Sequence, residues 1–136
     1  MYSSLAVDTN DKIHIAYYDA ENKDLKYVTN KSGSWIVSTL DAIGDVGQYA
    51  SIAVDSNDKF HLAYFDSTNG KLKYVTDKNS LFQTEFVDNS ASVGKYVSIA
   101  VDMKNQVHIA YIAYASEDLK YAKNSFGSWR TEIIDP

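Results

Sequence analysis

"SLAVDTNDKIHIAY" beginning at Ser4, "SIAVDSNDKFHLAY" at Ser51 and "SIAVDMKNQVHIAY" at Ser98 follow one another at a constant interval of 47 residues. This repeat constrains the fold more than any single residue, because each unit is one supersecondary element whose apolar surface only its neighbours can cover. In the middle repeat, period-2 alternation broken by turn residues predicts strands over Tyr49–Asp55, Phe60–Asp66, Lys71–Asp77 and Phe82–Asp88. The breaks have a mechanism: Asp55, Asn57 and Asp58 carry short polar side chains that close a tight turn, and Gly70 in "STNG" supplies positive φ. No helical pattern lies between the strands.

The second strand of this repeat is apolar on both sides, with Phe60, Leu62 and Tyr64 on one face and Ala63 and Phe65, with His61, on the other. A sheet apolar on both faces must be covered on both. Radial stacking of four-stranded sheets does this, and 47 residues per unit is a β-propeller period. The expected fold is therefore all-β, with three four-stranded antiparallel blades over 2–41, 49–88 and 96–135 of one propeller unit, 1–136. The positions shared by all three repeats are those that pack blades together: His14, His61 and His108; Tyr17, Tyr64 and Tyr111; Leu25, Leu72 and Leu119; Tyr27, Tyr74 and Tyr121.

Three blades leave two raw faces, since propellers close with four to eight. Tyr2 aligns with Tyr49 and Tyr96, and "WRTEIIDP" ends a fourth strand, so the chain is expected to be divided between blades rather than through one. Head-to-tail pairing of two chains gives a closed six-bladed homodimer ring, a heterologous contact that closes on itself. The alternatives are a fragment of a longer propeller, with which pairing is compatible, and a ring of nine blades.

Composition narrows the function. The net charge of −5 is dispersed and Arg130 is the sole arginine, which argues against nucleic acid, where clustered cations neutralise phosphates. No apolar run approaches the length of a membrane helix, and the N-terminus lacks a signal-peptide pattern; if the parent is exported, the signal lies outside this sequence. With no cysteine there is no disulfide framework or thiolate site. Eleven tyrosines suit half-buried strands and also sugar-binding surfaces, the ring being apolar and the hydroxyl polar.

One histidine per blade, at one strand position, reads as a buried structural group bonded to Ser4, Ser51 or Ser98 rather than as a metal ligand. "DTND" and "DSND" read as hairpin turns, because no closing bidentate acid follows as a calcium loop requires. Asp19 and Asp66 end second strands but Ala113 takes their place in the third repeat, so no carboxylate pair for glycoside hydrolysis is evident. The chain is expected to be non-enzymatic, with no cofactor and no metal.

The order "SIAVD", "HLAYFD", "LKYVTD", followed by a Gly-Ser-Trp turn in "NKSGSW" (Asn30 to Trp35) and "NSFGSW" (Asn124 to Trp129), resembles the sialidase-type, or BNR/Asp-box, propeller repeat. The middle repeat has "DKNSLF" there, and the box aspartate is absent. The resemblance implies the blade plan. It does not extend to the enzyme, whose three substrate-gripping arginines have no counterpart beside Arg130.

What remains is a binding or scaffold role, with a carbohydrate-binding lectin as the alternative and a glycoside-processing enzyme fragment as a distant one. Loops after the second and fourth strands share one rim, which carries Asp19, Asn22, Gln48, Tyr49, Asp66, Asn69, Lys95, Tyr96 and Tyr114. Polar amides and carboxylates beside tyrosine rings make these the candidate sugar-binding residues. Rim packing is the competing explanation for Tyr49 and Tyr96. The expected partners are a second copy and carbohydrate.

Overall fold

The computed structural model describes residues 2–79, 82–125 and 127–136. Ser80 and Leu81 of "DKNSLF" and Phe126 of "NSFGSW" lie outside the described residues. Among the described residues twelve strands form three antiparallel sheets. Blade 1 comprises β1 (Ser3–Val7), β2 (Ile13–Asp19), β3 (Asp24–Thr29) and β4 (Ile36–Asp41). Blade 2 comprises β5 (Val46–Val54), β6 (Phe60–Asp66), β7 (Lys71–Thr76) and β8 (Gln83–Asp88). Blade 3 comprises β9 (Val93–Val101), β10 (Val107–Ala113), β11 (Asp118–Ser125) and β12 (Ser128–Asp135). Each sheet is an up-and-down meander in sequence order. Among the described residues no helix is long and apolar enough to cross a membrane.

The core lies between blades rather than within them. Ala16, Leu25, Tyr27 and Leu40 of blade 1 meet Ile52, Phe60, Leu62, Tyr64 and Val75 of blade 2. Ala63, Leu72, Tyr74 and Val87 of blade 2 meet Ile99, Val107, Ile109, Tyr111 and Ala122 of blade 3. β6 therefore feeds opposite junctions with alternate residues, and it is buried from end to end.

The inner strands of blades 2 and 3 begin at Val46 and Val93, ahead of Tyr49 and Tyr96, where the sequence pattern starts them. The pattern is obscured because β5 is irregular against β6, with register shifts between Val46 and Ser51. Tyr49 itself has φ 55°, inside the irregular stretch. Gly47 shows why the strand bends: a Cβ there would stand 2.8 Å from Leu25 Cα of the preceding blade, so only glycine permits the approach.

Three kinds of polar contact repeat along the chain. The Asp8 and Asp55 carboxylates accept two backbone N–H bonds each and close the β1–β2 and β5–β6 turns. At each junction a serine hydroxyl oxygen accepts a backbone N–H from the next blade: Ser4 from Ile52 and Ser51 from Ile99, both at 3.1 Å. Finally, the last residues of β4 and β8 reach forward. Asp41 accepts from the Tyr64 hydroxyl at 2.8 Å and pairs with Lys73, while Asp88 accepts from the Tyr111 hydroxyl at 2.7 Å and pairs with Lys120.

Candidate functional site

The histidines do not bond to serines. In each blade the imidazole bridges the aspartate six residues earlier and the tyrosine thirteen later: His14 with Asp8 and Tyr27, His61 with Asp55 and Tyr74, His108 with Asp102 and Tyr121. An ionised carboxylate has no proton to give, so Nε2 donates to it and Nδ1 accepts from the phenol. Both ring nitrogens are thus occupied within the fold, and the serines serve the next blade instead. Burial pushes the Tyr27 hydroxyl up to about 12 and raises that of Tyr74, so these phenols stay protonated donors. Burial raises the Asp55 carboxyl, but hydrogen bonds from His61 and the backbone of Lys59 and Asn57 outweigh it and leave the group below its ordinary value.

His61 and Tyr74 of this relay line a cavity of about 530 Å³ between blades 2 and 3. It opens on the face carrying the β5–β6 and β9–β10 turns, and Glu85, Lys104, Asn105, Gln106 and Asn124 line it. The preceding junction is filled at the same level: the Phe60 ring stands 4.5 Å from Tyr27 and 6.0 Å from Phe82. Val107 occupies the position of Phe60 in blade 3, and the loss of a ring's volume leaves the gap. The Trp129 ring lies edge-on to Tyr74 at 5.0 Å, and its Nε1–H donates to Glu85 Oε1 at 2.9 Å. A phenol, a carboxylate, amides and ammonium groups thereby line one polar opening, with the indole packed edge-on to the phenol. Among the described lining residues Glu85 alone carries a carboxylate.

The nine rim residues lie on the opposite face. Asp19 and Asp66 close the hairpins they terminate, each accepting from the side-chain amide of its asparagine, Asn22 or Asn69, at 2.8 Å. Gln48 reaches Asp45 at 3.4 Å, beside the Tyr18 hydroxyl that donates to the same carboxylate. Tyr49 sits between Tyr2 and Tyr96, with centroids 4.7 and 4.9 Å away, and Tyr96 is 67% exposed. Lys95 Nζ lies 4.3 Å over the Tyr114 ring, which packs edge-on to Phe65. The structure therefore brings together Lys95 with Tyr114 and Tyr49 with Tyr96, and it commits the Asp–Asn pairs to turns. The upper cavity escaped sequence reasoning. Its available signal was the change from Phe60 to Val107 at one repeat position, together with Glu85 where blade 1 has Ser38.

Blades of this form, stacked through apolar faces with their first strands innermost, define a β-propeller. No family model matches the chain, and no curated protein matches it. Solved structures do. A fucose lectin from Kordia zhangzhouensis, in complex with methyl-fucoside, superposes with a TM-score of 0.60 at 18% identity, covering 98% of this chain and 99% of the lectin. The alpha-L-arabinofuranosidase Arb93A from Fusarium graminearum, in complex with an iminosugar inhibitor, superposes at 0.61 with 13% identity. There the match covers 99% of this chain but 48% of the other, so the chain spans about half the length of that enzyme. At these identities the likeness is one of fold.

Proposed function

We propose that the protein is a non-enzymatic propeller module of the sialidase-like blade plan that closes a ring with a further copy of itself and binds carbohydrate in the clefts between blades. The observation that carries the sugar reading is the cavity between blades 2 and 3. A sugar presents an apolar face that packs on aromatic rings and a fringe of hydroxyls that need both donors and acceptors. Tyr74, with Trp129 packed edge-on against it, supplies the former, and Glu85, Gln106, Asn124 and Lys104 the latter. The fucose lectin with the same fold, similar over its whole length, supports this reading. A single carboxylate among the described lining residues favours binding over hydrolysis, because glycosidases of the common kind need two.

A glycan array followed by calorimetric titration with methyl-fucoside tests the proposal. Val107→Phe should fill the cavity and remove the binding site there with little loss of stability, since the Phe60 junction accommodates the same ring. An array that captures no glycan, or unchanged binding by Val107→Phe, overturns it. The opposite rim is a second reading, favoured by Lys95 over Tyr114 beside Phe65. Binding that survives Val107→Phe but is lost in Tyr114→Ala would place the sugar there.

A further inference from the structure

We propose that blade 1 of a second copy packs onto blade 3 of the first through the same contacts that join blades within the chain, and that this joint completes another sugar cavity shared between the two copies. The composite cavity rests on the carbohydrate reading above; the joint does not.

The joint follows from the repeat. Asp41 and Asp88 pair with Leu25 and Leu72 at the ends of their sheets, and Asp135 holds the same register against Leu119. The partners of Asp41 and Asp88 are a tyrosine and a lysine of the next blade, and the 47-residue interval assigns Tyr17 and Lys26 to Asp135. Within one chain Lys26 turns instead to Asp24, at 3.7 Å, and to Thr39. Ser98 likewise stands where Ser4 and Ser51 accept an N–H, and Leu5 stands where Ile52 and Ile99 donate it. Exposure marks the same faces: Leu40 and Val87 are 8% and 6% exposed, but Ile134 is 55%. Ile52 is 6% exposed, but Leu5 is 57%.

A second copy fits better than an arbitrary blade, because the departures from the repeat also match. Trp129 donates to Glu85 across the second junction, whereas the first junction has Phe82 and Ser38 in those positions. The outward faces carry Trp35 on blade 1 and Glu132 on blade 3, the tryptophan–glutamate combination again. Asn10 donates to Asp58 across the first junction, and the residues at the corresponding repeat positions are Lys104, which also lines the cavity between blades 2 and 3, and Asp11, opposite in charge.

Blade 3 also carries an open cleft of about 380 Å³ lined by Tyr121, Lys123, Arg130 and Glu132. Tyr121 and Glu132 are the repeat counterparts of Tyr74 and Glu85, so this cleft is the sugar cavity lacking its far wall. The second copy supplies that wall, with Trp35 against Glu132 and Tyr121.

Light scattering on a sizing column should give twice the 15.2 kDa of one chain. A folded particle of any other mass overturns the dimer. Asp135→Lys and Lys26→Asp should each give single-chain mass with the circular dichroism of a folded β protein, and Asp135→Lys/Lys26→Asp should restore the doubled mass. Failure of either single variant to lower the mass, or of the double variant to recover it, overturns the assigned joint. Methyl-fucoside titration should then yield two sites per chain, falling to one in Val107→Phe and to one in Trp35→Phe/Glu132→Ala. A doubled mass with one site per chain overturns the composite cavity alone. A doubled mass with no sugar bound overturns the carbohydrate reading and leaves the joint standing.

Discussion

The imidazole of His61 is engaged twice, by the Tyr74 hydroxyl at 2.6 Å and the Asp55 carboxylate at 2.8 Å, and the same carboxylate holds the β5–β6 turn. One residue thereby ties a turn to two strands. The triplet is readable in the sequence as an aspartate six residues before each histidine and a tyrosine thirteen after, yet neither partner is adjacent to it; only the strand pairing brings them together. Acid should undo these contacts in a definite window. Burial raises the Asp88 carboxyl, but hydrogen bonds from Lys120, Ser90 and Tyr111 outweigh it and hold the group at about 2, against 3.8 for a free aspartate. The His108 bond, with backbone N–H groups of Gln106 and Lys104, likewise brings Asp102 to about 2. A group whose folded value lies below its unfolded one stabilises fully above the unfolded value and progressively less below it. Stability should therefore hold at pH 5 and fall between pH 3.8 and about 2. Urea midpoints measured from pH 6 to pH 2 check this, and in Asp88→Asn the fall should be shallower.

At the scale of the strand, the inner elements β5 and β9 decide how closely blades approach. A Cβ on Gly94 would stand 2.9 Å from Leu72 Cα, and the residue has φ 109°. Gly33 has a comparable φ of 98° but nothing within 4 Å of the position a Cβ would take. Gly33→Ala should therefore cost about 1 kcal/mol from backbone strain alone. Gly94→Ala should cost clearly more, about 3 kcal/mol or above, because backbone must also move at a packed junction. Thermal unfolding of the two variants side by side measures the difference. The strands themselves were legible: β6 and β8 lie within a residue of the alternation and turn signals that predict them, because each is flanked by residues that break a strand for a stated reason. β5 was less so. Its irregular start with Tyr49 at positive φ has no period-2 signature, and the glycine that demands it answers to a leucine in another blade.

For the whole molecule, the three-blade plan was readable because a 47-residue interval and a strand apolar on both faces admit few architectures. The cavity was not. Divergent loops drew attention to the rim of Lys95, Tyr96 and Tyr114, whereas the opening arises from a missing ring at Val107, directly before the His-x-Ala-Tyr that all three repeats share. Reading it requires knowing which residues of successive blades face each other. The location of the cavity beside the β9–β10 turn has a further result. Rotation about one axis relates the blades of a propeller, so every copy of this opening in a closed ring looks the same way. Such a ring would meet a glycan-coated surface as a multivalent plate, with each site after the first engaging at the high local concentration set by its neighbours. Binding to densely fucosylated particles should exceed binding to free methyl-fucoside by about 100-fold or more, and dilution of the sugar coat or the Asp135→Lys break should reduce that gain. Surface plasmon resonance at graded ligand density measures it: weak recognition of one sugar would become firm, orientation-specific attachment to a cell wall or mucus layer.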